Sequence, residues 1–133
     1  MTFDYSAGAD WNAAGEAELA DVVELRRAIH ADPEVGLDCV RTTAKMKAAL
    51  AGLPLEFREG PSTSGLIAVL RCGIAGAGNA NGRTVLLRGD MDALPMTEET
   101  GLDFASQTPG KMHACGHDAH SAMLVGAAKA LCA

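Results

Sequence analysis

Three of the four histidines in this 133-residue chain lie within eleven residues, GKMHACGHDAH, at positions 110–120. Cys115 and His117 are two residues apart, so a thiolate and an imidazole could reach one metal ion, and both suit zinc or a similar transition metal. Gly116 between them would let the backbone bend tightly. The alternative for Cys115 is a small buried hydrophobic residue. The pattern predicts a metal site with Cys115 and His117 as ligands.

A second polar segment, RGDMDALP at 88–95, contains two carboxylates. Asp90 and Asp92 are two residues apart, so in an extended chain both side chains point to the same side. They follow an apolar run that is typical of a buried strand, and ligands of open α/β sheets bind beyond the carboxyl ends of such strands. The alternative is an aspartate-containing turn ahead of Pro95. We therefore treat Asp90 and Asp92 as candidate site residues.

Two helices are predicted ahead of these segments. Apolar residues recur at helical spacing over 16–30, and Pro33 should end that helix. A second helix is predicted over 40–51, with Ala44, Ala48 and Leu50 facing inward and Gly52 ending it. Residues 1–14 are expected to form a flexible polar arm, and residues 15–133 one folded portion.

The rest of the chain predicts an α/β fold. Strands are expected at 65–73 and 84–92, the second buried on both faces because its apolar run is continuous. Residues 75–83 should form a turn; they lack the Lys-Ser/Thr of a phosphate-binding loop. A third helix is predicted over 120–133, buried because it is apolar nearly all round, with Asp118 as its possible cap. Strand, loop and buried helix are the first half of a crossover connection.

Composition excludes several classes of function. The formal net charge of −6 is unfavourable for a nucleic-acid partner, which requires a basic face. No apolar run reaches the roughly 18 residues of a membrane span, and the N-terminus lacks the regions of a signal peptide. The four cysteines are scattered without a CxxC pair, which favours a reducing, cytoplasmic setting.

RGDMDALPMTEETGL and GKMHACGHDAHSAML, together with LRRAIHADPEVGLDCVRTT, resemble the metal-dependent amidohydrolases of the aminoacylase/carboxypeptidase superfamily. That group holds hippurate hydrolases, N-acyl-amino-acid amidohydrolases and indole-acetyl-amino-acid hydrolases. The resemblance implies the N-terminal portion of a three-layer αβα, zinc-peptidase-like catalytic domain with a mixed sheet. It also implies hydrolysis of N-acyl amino acids by two divalent ions, manganese, zinc, cobalt or nickel, in a homo-oligomer.

The resemblance implies residue roles. Cys115 and His117 match two metal ligands, and Asp92 matches the acid that holds a metal-ligand side chain in place. Asp90 takes a supporting role.

The remaining histidines are less well assigned by the resemblance. The roles of His30, His113 and His120 stay open, with a structural hydrogen-bonding role expected for the last two. Cys39 stands where the opening motif usually has Glu, at a position expected on the helix surface.

Several parts of the resembled family have no match within the 133 residues. They are the Glu-Glu pair that supplies the general base, two further histidine ligands, and the lid and dimerisation domain. We therefore expect an N-terminal piece that is inactive alone. Two alternatives remain: a free-standing metal- or thiol-redox-responsive module that uses Cys115, and a structural remnant completed by a second chain.

Overall fold

The computed structural model describes residues 10–71 and 84–132 of the chain. The elements in these ranges are α1 (Trp11–His30), α2 (Val40–Ala49), β1 (Leu55–Glu59), β2 (Leu66–Leu70) and α3 (His117–Cys132). Within the same ranges, no helix combines the length and the hydropathy that crossing a membrane requires.

α1 begins at Trp11, ahead of the predicted start at 16, because Asp10 caps it. Asp10 Oδ1 accepts hydrogen bonds from the backbone N–H groups of Asn12 and Ala13, at 3.1 Å each. These bonds satisfy two of the donors that a first helical turn leaves unpaired. Residues 11–14 are therefore helical and not part of the predicted arm, and residues 1–9 lie outside the described part. The helix ends at His30, as predicted.

α2 turns a different face inward from the predicted one. Its buried residues are Thr42, Thr43 and Met46. Ala44 and Ala48, predicted to face inward, are exposed, whereas Leu50 is buried as predicted. The cause is the buried carboxylate of Glu34, which accepts hydrogen bonds from the backbone N–H and the hydroxyl of Thr42 at 2.7 and 2.9 Å. These bonds draw the threonine face of α2 into the interior.

Cys39 is the N-terminal cap residue of α2 and is buried, contrary to the surface position expected for it; it is 2% exposed. Its backbone N–H donates to Ser64 Oγ at 2.5 Å, and its thiol donates to the Gly36 carbonyl at 3.3 Å. Burial, together with nearby carboxylates, raises the pKa of the Cys39 thiol to about 11. The thiol therefore stays protonated at neutral pH, and its role is structural.

β1 and β2 form an antiparallel hairpin in which Leu55 pairs with Leu70 and Glu59 pairs with Leu66. β2 confirms the strand predicted within 65–73, whereas β1 was not predicted. The signal that could have found β1 is the short apolar–polar alternation of Leu55, Glu56, Phe57 and Arg58, although the last four residues of the strand are exposed. The turn predicted over 75–83 lies outside the described residues.

Residues 84–92 do not form the predicted strand. Within the described ranges the only sheet is the β1–β2 hairpin, and the side chains of Val85 and Leu86 are 82% and 85% exposed. A strand buried on both faces needs a hydrogen-bonded neighbour and a covering layer on each side. The described residues supply neither, so the apolar run stays in water.

The interior lies where α3 packs on α1 and α2. Met46, Leu50 and Val125 form its buried cluster. α3 starts at His117, three residues before the predicted start at 120, and it is buried on one side only. Met123 and Leu131 are 56% and 48% exposed, so the prediction of a helix buried all round is wrong.

Gly126 sets how closely α1 and α3 approach. A Cβ at Gly126 would lie 2.6 Å from Val22 Cγ2, and valine is stiff about χ1. We expect Gly126→Ala to lower the melting temperature, because overpacking of about 1–3 kcal/mol exceeds the gain of about 1 kcal/mol in helix propensity. The matched control is Gly15→Ala, which has open space around its new Cβ and should raise the melting temperature. Equal stabilisation by both variants would contradict the close contact.

Candidate metal centre

The turn after α1 fixes the backbone that leads into Asp92. The Glu34 carbonyl accepts a hydrogen bond from the Ala93 N–H at 2.7 Å, and Val35 pairs with Ala93 in a parallel bridge. Burial alone would raise the pKa of Glu34, but hydrogen bonds from Thr42 and Arg41 outweigh it and lower the pKa. The opening Asp-Pro-Glu segment is therefore a charged, hydrogen-bonded brace for the site.

Asp90 lies against the first turn of α3. Ser121 Oγ donates a hydrogen bond to the Asp90 carbonyl at 2.9 Å. Gly89 allows this approach, because a Cβ there would lie 3.0 Å from the His120 carbonyl oxygen. The absence of a side chain at Gly89 thus lets the aspartate segment reach the helix that contains His117.

Asp92 fixes one ring nitrogen of His117. His117 Nδ1 lies 3.0 Å from Asp92 Oδ1 and 2.9 Å from the Asp92 carbonyl. A backbone carbonyl and a carboxylate both accept hydrogen bonds, so Nδ1 is the donor and, in the neutral tautomer, the lone pair of Nε2 is available to a ligand. This is the arrangement of a histidine prepared for metal binding, with its second nitrogen fixed by a carboxylate.

Asp90, His117 and His120 form a three-donor group whose ligand atoms all lie within 4.8 Å of one another. His117 Nε2 is 4.0 Å from Asp90 Oδ2, and the two imidazole rings are 5.4 Å apart between centroids. One carboxylate and two imidazoles suit a divalent transition metal. Arg88 Nη2 also contacts Asp90 Oδ1, at 2.6 Å, which leaves the second carboxylate oxygen on the histidine side.

Of the two predicted ligands, the structure places His117 in this group but not Cys115. Cys115 is exposed, so the alternative of a buried hydrophobic residue is wrong for it. Gly116 has φ +87°, the bend that its lack of a side chain permits. His120 joins the group, although its role was left open. The signal that could have found it is its spacing of three residues from His117, which puts both on one helix face.

A buried ionic network lies behind the three-donor group. His30 Nδ1 contacts Asp118 Oδ2 at 2.7 Å, and His30 Nε2 contacts Glu98 Oε1 at 3.1 Å. Asp118 also pairs with Arg26 Nε at 2.7 Å. Asp118 is therefore not the cap of α3, as it could have been from sequence; its carboxylate points into the interior and bonds α1 instead.

Glu98 is held ionised in this network. Burial alone would raise its pKa, but hydrogen bonds from Thr100, Ser106 and His30 outweigh burial and lower the pKa to about 2. Glu98 therefore presents a full negative charge to His30 at neutral pH.

His113 does not make the hydrogen bonds predicted for it. It is 3% exposed, and within the described residues neither ring nitrogen has a hydrogen-bond partner. Burial lowers the pKa of His113, so the ring is neutral at pH 7. A buried unpaired polar group of this kind costs about 1–3 kcal/mol.

We expect His113→Leu to preserve or raise the melting temperature at pH 7.5, since it removes an unpaired polar ring. The pKa of His113 is lowered on folding, so the unfolded chain binds the proton more readily. Stability from this residue is complete above its ordinary pKa of 6.5 and is lost as the pH falls below it. The variant should therefore lose less stability than the native protein between pH 7 and 5. Thermal melting across that range is the measurement, and identical pH slopes would show that His113 has a folded-state partner.

Comparison with known proteins finds one peptidase family that matches part of the chain. Residues 86–133 match the model of the peptidase family M20/M25/M40. A solved structure from Bacillus subtilis, described as a dinuclear metal-binding peptidase of the M20 family, superposes with a TM-score of 0.74 at 36% identity, over 92% of this chain. Part of the chain thus matches the M20 peptidase family, and the chain is similar to a solved member of it.

Proteins similar to this chain differ in name and in length. An N-acyl-L-amino acid amidohydrolase of Geobacillus stearothermophilus is 42% identical over 110 residues, which are 82% of this chain and 28% of that protein. A Rhodococcus jostii protein named as glutamate–cysteine ligase 2-3 is 43% identical over 126 residues, 95% of this chain but 15% of that protein. The Bacillus subtilis structure is covered to 32%, so the chain spans less than a third of each relative.

The similarity to M20 peptidases confirms the predicted α/β fold class and the resemblance drawn from the aspartate and Cys-Gly-His motifs. Asp90, Asp92, Cys115 and His117 all fall inside the matched segment 86–133. The roles predicted for these four residues stay predictions, and ligand roles for Asp90 and His120 are proposals.

Proposed function

We propose that this chain supplies one wall of a two-metal amidohydrolase site that cleaves the amide bond of N-acyl amino acids. The observation that supports it most is the orientation of His117. Its Nδ1 is bound by Asp92 and its Nε2 faces Asp90, so a metal-binding nitrogen is fixed in the one segment that the M20 family model matches.

The chain's own residues would bind and orient the ion. His117, Asp90 and His120 supply nitrogen and oxygen donors within 4.8 Å, and we keep Cys115 as a further proposed ligand. Asp92 keeps the His117 tautomer that leaves Nε2 free to bind. Divalent metals there, manganese, zinc, cobalt or nickel, would supply Lewis-acid activation of the amide carbonyl and of water.

The names of relatives support the substrate class. An N-acyl-L-amino acid amidohydrolase is 42% identical, and the M20 structure from Bacillus subtilis is described as a dinuclear metal-binding peptidase. We infer that the chain is the N-terminal piece of a longer, cytoplasmic, homo-oligomeric enzyme, called the intact protein below. The remainder would supply the general base and the other ligands, so the 133 residues alone should be inactive.

A substrate screen on the intact protein tests this proposal. The protein is stripped with a chelator, reloaded with manganese, cobalt or zinc, and assayed on hippurate, N-acetyl amino acids and indole-acetyl amino acids. We expect metal-dependent release of the free amino acid from at least one class, and none from the 133-residue chain. A folded, metal-loaded intact protein that cleaves none of these amides would overturn the proposal. Rapid, reversible oxidation of the exposed Cys115 in that inactive protein would favour the thiol-responsive alternative.

A further inference from the structure

The Asp118 carboxylate joins two helices at the position next to His117. Its side chain is fully buried, at 0% exposure, and one oxygen, Oδ2, lies 2.7 Å from both Arg26 Nε and His30 Nδ1. Arg26 and His30 belong to the last part of α1, and Asp118 belongs to the first turn of α3. The N-terminal turn of α3 is thus bonded to α1 through a single carboxylate.

Phe104 covers the network from the loop side. The His30 ring meets Phe104 edge-on, with 5.4 Å between centroids. The Arg26 guanidinium lies 5.1 Å from the centre of the Phe104 ring, within the range of a cation–π interaction. Since Glu98 holds the far nitrogen of His30 at 3.1 Å, the imidazole is fixed on three sides and cannot rotate away from Asp118.

Successive residues of a helix point about 100° apart, so His117 and Asp118 face different neighbours. His117 faces the aspartate segment, where Asp92 holds its Nδ1. Asp118 faces α1. The first turn of α3 is therefore held from two directions, and a shift of that turn would move the His117 ring off Asp92.

A buried ionic group of this kind is costly for stability alone. Desolvation of a charge costs several kcal/mol, and a buried ion pair is often no better than apolar packing of the same volume. An ion pair at the other end of the same helix pair is ordinary by comparison: Lys129 contacts Glu18 at 2.9 Å and Asp21 at 2.6 Å near the surface. The contrast indicates that the end next to His117 is built for a fixed orientation.

We propose that Asp118 is a positioning residue for the metal site, acting through the first turn of α3 to hold His117 against Asp92 with Nε2 directed at Asp90. The proposal rests on the proposed function, because it gives His117 a ligand role. It assigns Arg26 and His30, on α1, the task of anchoring Asp118, whereas His117 and His120 lie on α3.

The test compares Asp118→Asn with Lys129→Met in the intact protein. Asn keeps the shape of the side chain and removes its charge, and Lys129→Met breaks an ion pair between the same two helices at the far end. Manganese affinity is measured by titration calorimetry at a temperature at which all variants are folded. Long-range ¹H–¹⁵N NMR of the metal-free protein reports which His117 nitrogen is protonated.

We expect Asp118→Asn to weaken manganese binding roughly 10–100-fold, the range for residues that orient a ligand, and to give a mixture of His117 tautomers. Lys129→Met should change neither readout. Arg26→Met, which removes the half-buried partner, should shift both in the same direction by a smaller factor. If Asp118→Asn fails to fold, Arg26→Met becomes the variant that tests whether the anchor positions His117.

A lower melting temperature with unchanged manganese affinity and an unchanged His117 tautomer would reduce Asp118 to a structural role and overturn the proposal. Failure of the proposed function looks different, because the native protein would then bind no manganese. In that case the tautomer measurement still decides whether Asp118 positions the ring, since it needs no metal.

Discussion

Replacing His117 with alanine in the intact protein is expected to lower amide hydrolysis at least about 100-fold. A metal that polarises the reacting groups contributes several kcal/mol to the transition state, and each 1.36 kcal/mol is a factor of ten in rate. His117 is the member of the candidate site whose ring is held in a binding-competent orientation, by Asp92 at 3.0 Å. Rate and bound metal, measured together, should fall together.

Cys115→Ser is the informative companion variant. A serine hydroxyl stays protonated where a thiolate would bind a metal, so a ligand role predicts a loss of one or more orders of magnitude in activity. In the structure Cys115 is exposed and stands outside the group of Asp90, His117 and His120. Unchanged metal content and rate in Cys115→Ser would assign the site to that group. Full activity of His117→Ala would contradict the metal site itself.

The 133-residue chain by itself is expected to associate in solution. Val85 and Leu86 are 82% and 85% exposed, and Trp11 and Met123 are both more than half exposed. Each large apolar side chain left in water forfeits roughly 1.5–3 kcal/mol. A few of them together equal a large share of the roughly 5–15 kcal/mol that stabilises a typical domain. Size-exclusion chromatography with light scattering and thermal melting are the measurements.

A pair of matched variants tests whether the exposed apolar run around Leu86 causes the association, or whether any exposed leucine does so. Leu86→Lys places a charge in the unpaired apolar run and should increase the monomer fraction. Leu37, on the turn before α2, is a leucine of similar exposure, at 79%. Leu37→Lys should leave the monomer fraction unchanged. A monodisperse native monomer with a sharp, cooperative thermal transition would contradict the prediction, because it would show that the 133-residue chain forms a complete hydrophobic core by itself.

Much of the local structure was readable from the sequence. Apolar spacing predicted α1 and α2 to within a few residues at most bounds, and Pro33 correctly marked the end of α1. Gly116 was predicted to bend the chain, and it does so with a positive φ. Such features depend on near neighbours in the chain: a capping side chain, a proline ring, or a missing Cβ. The two chemical motifs were also sufficient to indicate the M20 family.

Burial was predicted less well, because it depends on what packs against each face. Ala44 and Ala48 were expected inside, but the buried Glu34 draws Thr42 inward instead. The apolar run at 84–92 predicted a buried strand, yet Val85 is exposed because no described strand pairs with it.

The sequence by itself determined which side chains could do chemistry here: two aspartates two apart, and a cysteine and histidines within eleven residues. Only the tertiary structure decided which of them meet. It set Asp92 on Nδ1 of His117, brought His120 and Asp90 within ligand distance, and left Cys115 outside that group. The physical reason is that a side chain's direction follows from the helix turn beneath it. That turn is held by Arg26 and His30, which precede it by about ninety residues in the chain.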